Sequence, residues 1–233
     1  MLSVIENVHV YAPEDLGLND IVICHEKIVE VGQGLAPSYP KANKMNGKGL
    51  LAVPGFIDQH VHVTGGGGEG SFKTRVPELK FTDCIGAGVT TLVGVLGTDG
   101  ITRSVENLLA KTKALNEEGI TAYCLTGSYE FPTITLTGDL KKDIAFLKEV
   151  LGVKVAISDH RCSHLTKEEL IRLASDVRMA ALVSGKPGLI TFHVGRGKQQ
   201  LDLLFAILEE TDLPVKHFRP THVGKLGEAA VRF

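Results

Sequence analysis

Cysteine is scarce in this sequence, and cysteine motifs are missing. The four cysteines are Cys24, Cys84, Cys124 and Cys162, and no two of them form a CxxC pair. A disulfide framework or a zinc ribbon needs clustered cysteines, so neither is indicated. Scattered thiols favour a reducing compartment, and we expect a cytoplasmic protein.

An excess of positive charge is missing as well. The 233 residues contain 25 Lys and Arg against 27 Asp and Glu, so we expect no nucleic-acid partner. A hydrophobic content of 43% excludes a disordered acidic chain. No apolar run approaches the ~20 residues of a membrane helix, so no membrane partner is expected. The first ten residues carry Glu6 but no basic cluster, unlike a signal peptide.

The first part of the chain is predicted to form short strands. Residues 3–12 partly alternate between polar and apolar side chains, and residues 20–32 predict a strand, a tight turn at 25–27 and a second strand. β-Branched residues around a polar turn are typical of a hairpin. A polar segment follows at 36–48. We assign residues 1–53 to the N-terminal part of a small β domain.

Strand and helix patterns alternate from residue 50 onward. Between short apolar runs lie segments with apolar residues every three or four positions, as in half-buried helices: 105–118, 140–150, 167–183 and 198–210. Ser104 is a predicted N-cap, and Thr166 with Glu169 forms a predicted capping box. This alternation is typical of a parallel sheet covered by helices, in either a doubly wound sheet or a (β/α) barrel.

Polar residues at the carboxyl ends of the predicted strands favour the barrel. Five of six predicted strands end in such residues: His60 and His62, Tyr129, residues 159–161, His193 and His222. Barrel enzymes gather their chemistry at that face from several strands. A doubly wound sheet more often carries a phosphate-binding turn, but the glycines at 65–68 lack GxGxxG spacing. We therefore predict an α/β fold of the (β/α)8 TIM-barrel type over residues 54–233.

His60 and His62 are the strongest local signal. Residues two apart in a strand point to the same face, so both imidazoles enter one space. A metal needs such convergence; two satisfied core histidines are the alternative. His193 and His222 at two further strand ends weaken that alternative. Four imidazoles from three strand ends predict a metal site.

Lys154 is the second informative residue. It lies between Val153 and Val155 on an apolar strand, and its neighbours in sequence offer no obvious counter-ion. A buried ammonium is costly unless it is paired or deprotonated. Carbamylation by carbon dioxide would resolve this conflict, because it converts the amine into an anionic oxygen ligand that two metals can share. A lysine that reaches the barrel rim is the alternative.

Longer motifs give the chain a family resemblance. PGFIDQHVH, GGGGE, SDHR, TFHVG and PTHV resemble segments of the amidohydrolase superfamily and, within it, of the bacterial isoaspartyl (β-aspartyl) dipeptidases. HxH alone is typical only of the superfamily, whereas GGGGE and SDHR are similar to the dipeptidases specifically. The resemblance implies a metal-dependent hydrolase barrel with about six of its eight strands present, plus part of a small N-terminal β-sandwich domain.

The resemblance also implies a cofactor. It implies two zinc ions, the more buried one bound by His60 and His62, the second by His193 and His222, and both bridged by N6-carboxylated Lys154. A hydroxide shared by two such metals is nucleophilic at neutral pH. The other histidines do not match ligand positions, and His160 is expected to support a ligand.

Substrate-binding residues follow from the same resemblance. Glu69 resembles the residue that pairs with a free α-amino group, and Arg161 the clamp on a free α-carboxylate, a task that suits a planar guanidinium. Tyr129 would donate to the developing oxyanion, while Gly67 and Thr98 would line the pocket. A loop carboxylate at Glu69 and a rim aromatic at Tyr129 are the alternatives. The implied activity is hydrolysis of isoaspartyl dipeptides, which carry both free α-groups on one residue, by a homo-oligomeric enzyme.

Two departures from the family pattern stand out. Lys225 occupies the place of an arginine beside Arg161 on the substrate carboxylate, and lysine keeps the charge but loses the bidentate fork. Six strand signals also fall short of the eight in a barrel, and the metal-bound aspartate that serves the family as general base is missing. General acid–base help is worth roughly 10²–10⁴-fold, so we expect little or no activity from this truncated chain.

Two other functions stay open at this point. One is another amidohydrolase that acts on a cyclic amide or an N-acyl group. The other is a non-catalytic scaffold of the same fold. Glu69, Arg161 and Tyr129 favour the dipeptide, and ligand-type residues at all five metal positions argue against the scaffold.

Overall fold

The computed structural model describes residues 1–232 and divides the chain into two compact units. The first unit is Met1–Phe56, and the second begins at Ile57. This division falls close to the boundary predicted after residue 53, and the identification of the units as domains stays a prediction. Residue 233, the last of the predicted barrel segment, lies outside the described residues.

The first unit is a mixed sheet of five strands: β1 (Leu2–Tyr11), β2 (Asp15–Cys24), β3 (Lys27–Gly32), β4 (Asn43–Asn46) and β5 (Leu51–Ala52). β1, β2 and β3 are successively antiparallel, which confirms the predicted hairpin, while β4 and β5 both run parallel to β1. The segment predicted as a polar connection thus contains β4. Buried Val4 and Val22 anchor one small apolar cluster, and Val8 and Ile21 another.

The second unit is built on six strands: β6 (Phe56–Val61), β7 (Val89–Gly94), β8 (Thr121–Gly127), β9 (Val150–Ile157), β10 (Leu189–Val194) and β11 (Phe218–Thr221). They lie side by side in chain order, and the pairings from β7 to β11 are parallel. A doubly wound sheet reverses its strand order at a switch point, whereas a barrel wall does not. The predicted barrel-type fold with six strands is therefore confirmed.

Helices cover this sheet: α1 (Phe81–Gly86), α2 (Val105–Glu118), α3 (Leu140–Phe146), α4 (Lys167–Ser184), α5 (Asp202–Glu210) and α6 (Glu228–Arg232). The predicted caps are confirmed. Ser104 Oγ accepts from the Asn107 amide, and Thr166 and Glu169 exchange the two hydrogen bonds of a capping box. The inner faces of these helices and the buried sides of β7–β10 form one apolar core, the main source of stability.

Two predicted helices need corrected bounds, and one helix was not predicted. The helix predicted over 140–150 ends at Phe146, because the chain turns there and enters β9 at Val150. Lys186 Nζ donates to the carbonyls of Ile144, Leu147 and Val150 at 2.5–3.0 Å and so satisfies that turn. The helix predicted over 198–210 begins only at Asp202, and α1 was not predicted.

Two further observations concern the chain as a whole. Among residues 1–232, no helix combines the length and the apolar character needed to cross a membrane. The four cysteines are free thiols.

The capping box of α4 yields a stability prediction. Thr166→Ala removes the hydroxyl that accepts from the Glu169 amide at 3.3 Å, and should lower the free energy of unfolding by about 1 kcal/mol. Urea denaturation measures this loss. Ser175→Ala, a change on the same helix that removes only a bond to the Ile171 carbonyl, should stay within about 0.5 kcal/mol of the parent. Equal effects of the two substitutions would contradict the capping role.

Candidate functional site

The carboxyl ends of the parallel strands bring the predicted residues to one edge of the sheet. His60 lies in β6 and His62 directly after it; Lys154 and His193 lie in β9 and β10. Tyr129, Arg161 and His222 follow β8, β9 and β11. Parallel pairing places these ends side by side, so residues up to 162 positions apart in sequence share one space.

The four predicted histidines form a continuous cluster of rings. Ring centroids are 5.5 Å apart for His60 and His62, 5.4 Å for His60 and His222, and 4.8 Å for His193 and His222. Lys154 joins them, with its Nζ 3.1 Å from His60 Nε2. It is 0% exposed, and no acidic partner of its amine is found among the described residues.

Burial sets the protonation of this cluster. It lowers the pKa of Lys154 to about 7, and it lowers the pKa of His60 to about 3 with the help of the neighbouring Lys154 charge. The pKa of His193 falls to about 4, mainly through burial, although the Asp159 carboxylate opposes the shift. Neutral imidazoles expose a nitrogen lone pair, which is the form that binds a metal.

His193 has both ring nitrogens engaged by protein groups. Asp159 Oδ2 lies 2.9 Å from Nε2, and the Tyr129 hydroxyl lies 2.5 Å from Nδ1. Because an ionised carboxylate only accepts, Nε2–H donates to Asp159 and Nδ1 accepts from Tyr129. Tyr129 is a dependable donor, because burial raises its pKa to about 12.

The residues present suit zinc by donor type. Imidazole nitrogen is a preferred zinc ligand, and the buried His62 Nδ1 has no hydrogen-bond partner within the described part of the chain. In the described arrangement, however, no group of three or more His, Cys, Asp or Glu side chains is set to hold a metal ion. Both ring nitrogens of His193 contact protein groups, Tyr129 and Asp159, and His60 Nε2 contacts Lys154 Nζ. A metal would exchange for these contacts.

Glu69 and Arg161 form an ion pair with each other. Arg161 NH1 donates to Glu69 Oε2 at 2.7 Å, and Thr98 Oγ1 donates to Glu69 Oε1 at 2.6 Å. These hydrogen bonds, that of Thr98 foremost, hold the pKa of Glu69 below its usual range. The carboxylate expected to bind an amine and the guanidinium expected to bind a carboxylate therefore face one another directly.

A small cavity lies between Glu69 and His62. It measures about 80 Å³ and its lining includes His62, Gly67, Glu69, Thr98 and Tyr129. The Arg161 guanidinium carbon lies 5.4 Å from the centroid of the Tyr129 ring, a distance at which a cation is attracted to the aromatic face. The structure thus brings together all the predicted substrate residues except one.

The exception is Lys225. It lies exposed in a short turn, Val223–Lys225, directly after His222. No hydrogen bond or ion pair between Lys225 and Arg161 occurs within residues 1–232. Burial and the Lys154 charge lower the pKa of His222, and Lys225 adds to the shift.

Two residues at the site were missed by the sequence reasoning. Asp159 is buried and accepts from Arg161 Nε at 2.8 Å and from NH2 at 2.7 Å, besides its contact with His193. The Arg161 bonds hold the pKa of Asp159 well below its usual range. The expected support from His160 is wrong, since that side chain is exposed; Asp159, two residues before Arg161 in SDHR, was the available signal. Buried Arg103, the second missed residue, contacts the glycines at 66 and 67.

Comparison with known proteins shows what the chain is similar to. No family model matches the chain. Two solved structures of a β-aspartyl dipeptidase from the thermophilic keratin-degrading Fervidobacterium islandicum AW-1, one in complex with β-Asp-Leu, are similar over 100% of the chain, at 47% and 46% identity and a TM-score of 0.93. This chain spans 61% and 64% of those chains. A dihydroorotase from Elusimicrobium minutum is 33% identical over 129 residues, which are 51% of this chain and 28% of that protein.

The two solved dipeptidase structures share the fold of this chain, with a TM-score of 0.93. The structural match extends over every element of the second unit, including the strand ends that hold the histidine cluster and the Glu69–Arg161 pair. The chain is therefore similar over its whole length to the β-aspartyl dipeptidases, and its other matches are members of the amidohydrolase family.

Proposed function

We propose that this chain carries the metal and substrate residues of a hydrolase that cleaves isoaspartyl dipeptides. The observation that carries the proposal is the 2.7 Å Glu69–Arg161 ion pair beside four clustered imidazoles. The similarity to β-aspartyl dipeptidases supports it. A cytoplasmic location and a homo-oligomeric state are part of the same proposal.

The ion pair suits a substrate with two opposite charges on one carbon. An isoaspartyl residue has a free α-ammonium and a free α-carboxylate. The α-ammonium would bind Glu69 in place of Arg161, and the α-carboxylate would bind Arg161 in place of Glu69. Each protein charge exchanges one partner for another, so none is left unpaired. A normal aspartyl peptide lacks the free α-carboxylate at that position. It would leave Arg161 NH1, which donates to Glu69 in the free site, without an anionic acceptor, although Asp159 would still pair with the rest of the guanidinium.

The histidine cluster and Lys154 would hold two zinc ions. His60 and His62 would bind one, His193 and His222 the other, with Lys154 shared between them as its N6-carboxylate. Bound zinc supplies a hydroxide that is nucleophilic at neutral pH and polarises a carbonyl. A pKa of about 7 leaves much of the Lys154 amine neutral. The neutral amine would form the N–C bond with carbon dioxide and release one proton, so an anionic carbamate oxygen would take the place of the amine among the ligands.

Tyr129 and Arg161 would orient the reacting group. A hydroxyl with a pKa of about 12 stays protonated at neutral pH, so Tyr129 can donate to an oxyanion that develops on the scissile carbonyl. Asp159 holds Arg161 by two parallel hydrogen bonds, and this fork fixes the plane in which Arg161 meets a carboxylate.

We further propose that these 233 residues by themselves hydrolyse isoaspartyl dipeptides slowly or not at all. The last aspartate in the sequence is Asp212, which precedes β11. The strand-end aspartate that serves the family as general base therefore has no counterpart after the six described strands. Loss of such a base lowers a rate by roughly 10²–10⁴-fold, so ligand binding is the more direct measure of this site.

Binding of isomeric dipeptides tests the proposed substrate. Calorimetry on the zinc-loaded chain should show β-Asp-Leu bound roughly tenfold or more tightly than α-Asp-Leu, because only the former satisfies Glu69 and Arg161 together. Glu69→Gln should remove most of this preference. Glu117→Gln, at an exposed position of α2, is the matched control and should keep it. Equal affinity of the parent chain for both isomers would refute the proposal.

Lys154 yields a prediction on stability and pH. In metal-free, carbon-dioxide-free buffer, the amine has a pKa of about 7 folded against 10.5 as the ordinary value. Between these values the unfolded chain binds a proton that the folded chain does not, so parent stability falls as the pH drops from about 10.5 to about 7 and then levels off. Lys154→Met lacks this cost and should be more stable by on the order of 4 kcal/mol at pH 7, less any packing loss.

Guanidinium unfolding between pH 6 and pH 10 measures the extra stability of Lys154→Met over the parent. This difference should shrink as the pH rises from about 7 toward about 10, near the ordinary pKa of lysine. Lys148→Met, at an exposed position, is the control and should show no such trend. Addition of ¹³C-bicarbonate and zinc should stabilise the parent but not Lys154→Met, with a carbamate resonance in the carbon spectrum. If the stability difference between Lys154→Met and the parent did not change with pH, the pKa of Lys154 in the folded chain would not be lowered, and the prediction would be wrong.

A further inference from the structure

We infer that Arg103 is a positioning residue that fixes the glycine-rich loop carrying Glu69. The inference rests on the proposed role of Glu69 in amine binding. Here the glycine loop means residues 65–68, which directly precede Glu69 in the sequence. Arg103 itself lies on a different segment, just before the N-cap of α2.

The Arg103 guanidinium is fully engaged beneath the loop. The residue is 3% exposed. Its five N–H groups make five hydrogen bonds, to the carbonyls of Thr64 (3.1 Å), Gly66 (2.9 Å), Gly67 (3.4 Å) and Val76 (3.2 Å) and to Asp99 Oδ2 (3.1 Å). Backbone carbonyls that are withdrawn from water need a donor. Here a single side chain donates to one buried carbonyl, that of Thr64, and to three partly buried ones.

The loop conformation turns these carbonyls inward. Gly65 and Gly67 have φ values of 81° and 65°, a region that favours glycine. A Cβ on Gly65 would lie 2.0 Å from the Val76 carbonyl oxygen, and one on Gly67 2.5 Å from that of Thr74. The loop thus packs directly on the returning backbone, and its inward carbonyls leave a space that a planar fork of donors fills.

Residues 98–103, the segment that ends in Arg103, also contact the carboxylate of Glu69. Thr98 donates to Glu69 Oε1 at 2.6 Å, and Asp99, the next residue, balances the Arg103 charge. Arg103 therefore fixes the backbone before Glu69 while Thr98 fixes its carboxylate. Together they determine where that carboxylate lies relative to Arg161, and hence the spacing at which an α-ammonium and an α-carboxylate are read.

Lysine cannot replace Arg103 in this role. An ammonium has three donors from one point, so it cannot reach four carbonyls spread over 64–76. Arg75 provides a matched comparison, since it also pairs with Asp99, at 2.9 Å, but is exposed and makes no described contact with the glycine loop carbonyls.

The relative affinities for two ligands show whether Arg103 positions Glu69 or only stabilises the fold. L-Aspartate carries the α-amino group that Glu69 is proposed to bind, and succinate lacks it. In the zinc-loaded chain, Arg103→Lys should lower the affinity for L-aspartate roughly tenfold or more, the scale of a lost charge-assisted hydrogen bond, with less than about a twofold change for succinate. Hydrogen exchange of the amides at 66–69 should accelerate in the same variant.

Asp99→Asn keeps the four carbonyl contacts and serves as a second variant if Arg103→Lys does not fold; it should show a smaller loss in the same direction. Arg75→Met should leave the aspartate-to-succinate ratio unchanged. Faster exchange with an unchanged ratio would overturn the inference and leave Arg103 a structural residue. A parent chain that binds L-aspartate no better than succinate would instead overturn the role of Glu69 in the proposed function, and the positioning inference with it.

Discussion

The side-by-side order of β6 to β11, with parallel pairing from β7 onward, is the constraint on which the site depends. It brings the carboxyl ends of all six strands to one edge, so His60, His193 and His222 meet although each comes from a different strand. The apolar core beneath this edge leaves Lys154 and His193 buried and His60 half-buried, while His222 is exposed. Low hydration keeps the imidazoles neutral and brings the pKa of Lys154 to about 7, because charged forms lose more hydration than neutral ones.

Beside this histidine cluster, the charged side chains of the substrate region occur in pairs of opposite sign. Arg161 is shared between Asp159 and Glu69, while Asp99 is shared between Arg75 and Arg103. Each buried or half-buried charge has a partner of opposite sign, as burial requires. Without a ligand, these side chains are paired with one another. A zwitterionic ligand would exchange with the Glu69–Arg161 ion pair and would add no net charge to the site.

Local patterns were the parts of the fold that sequence reasoning predicted well. The bounds of α2 and the capping box of α4 follow from contacts three or four residues apart, which a pattern of apolar and capping residues encodes directly. The end of α3 did not follow, because Lys186, some forty positions later, satisfies the carbonyls where the chain turns into β9. Among the histidines outside the ligand positions, His160 was expected to support a ligand, but it is Asp159 that contacts His193. Which of these two neighbours faces inward depends on the turn after β9.

By itself the sequence determined the strand and helix alternation, the histidines and lysine at strand ends, and the motifs that mark the superfamily. These are properties of residue type and spacing, and they persist in any conformation of the chain. Only the tertiary structure decided which of these side chains touch: that Glu69 meets Arg161, that His193 is held between Tyr129 and Asp159, and that Arg103 lies under the glycine loop. Those contacts join residues far apart in the chain, and their geometry arises from the packing of the sheet and its loops.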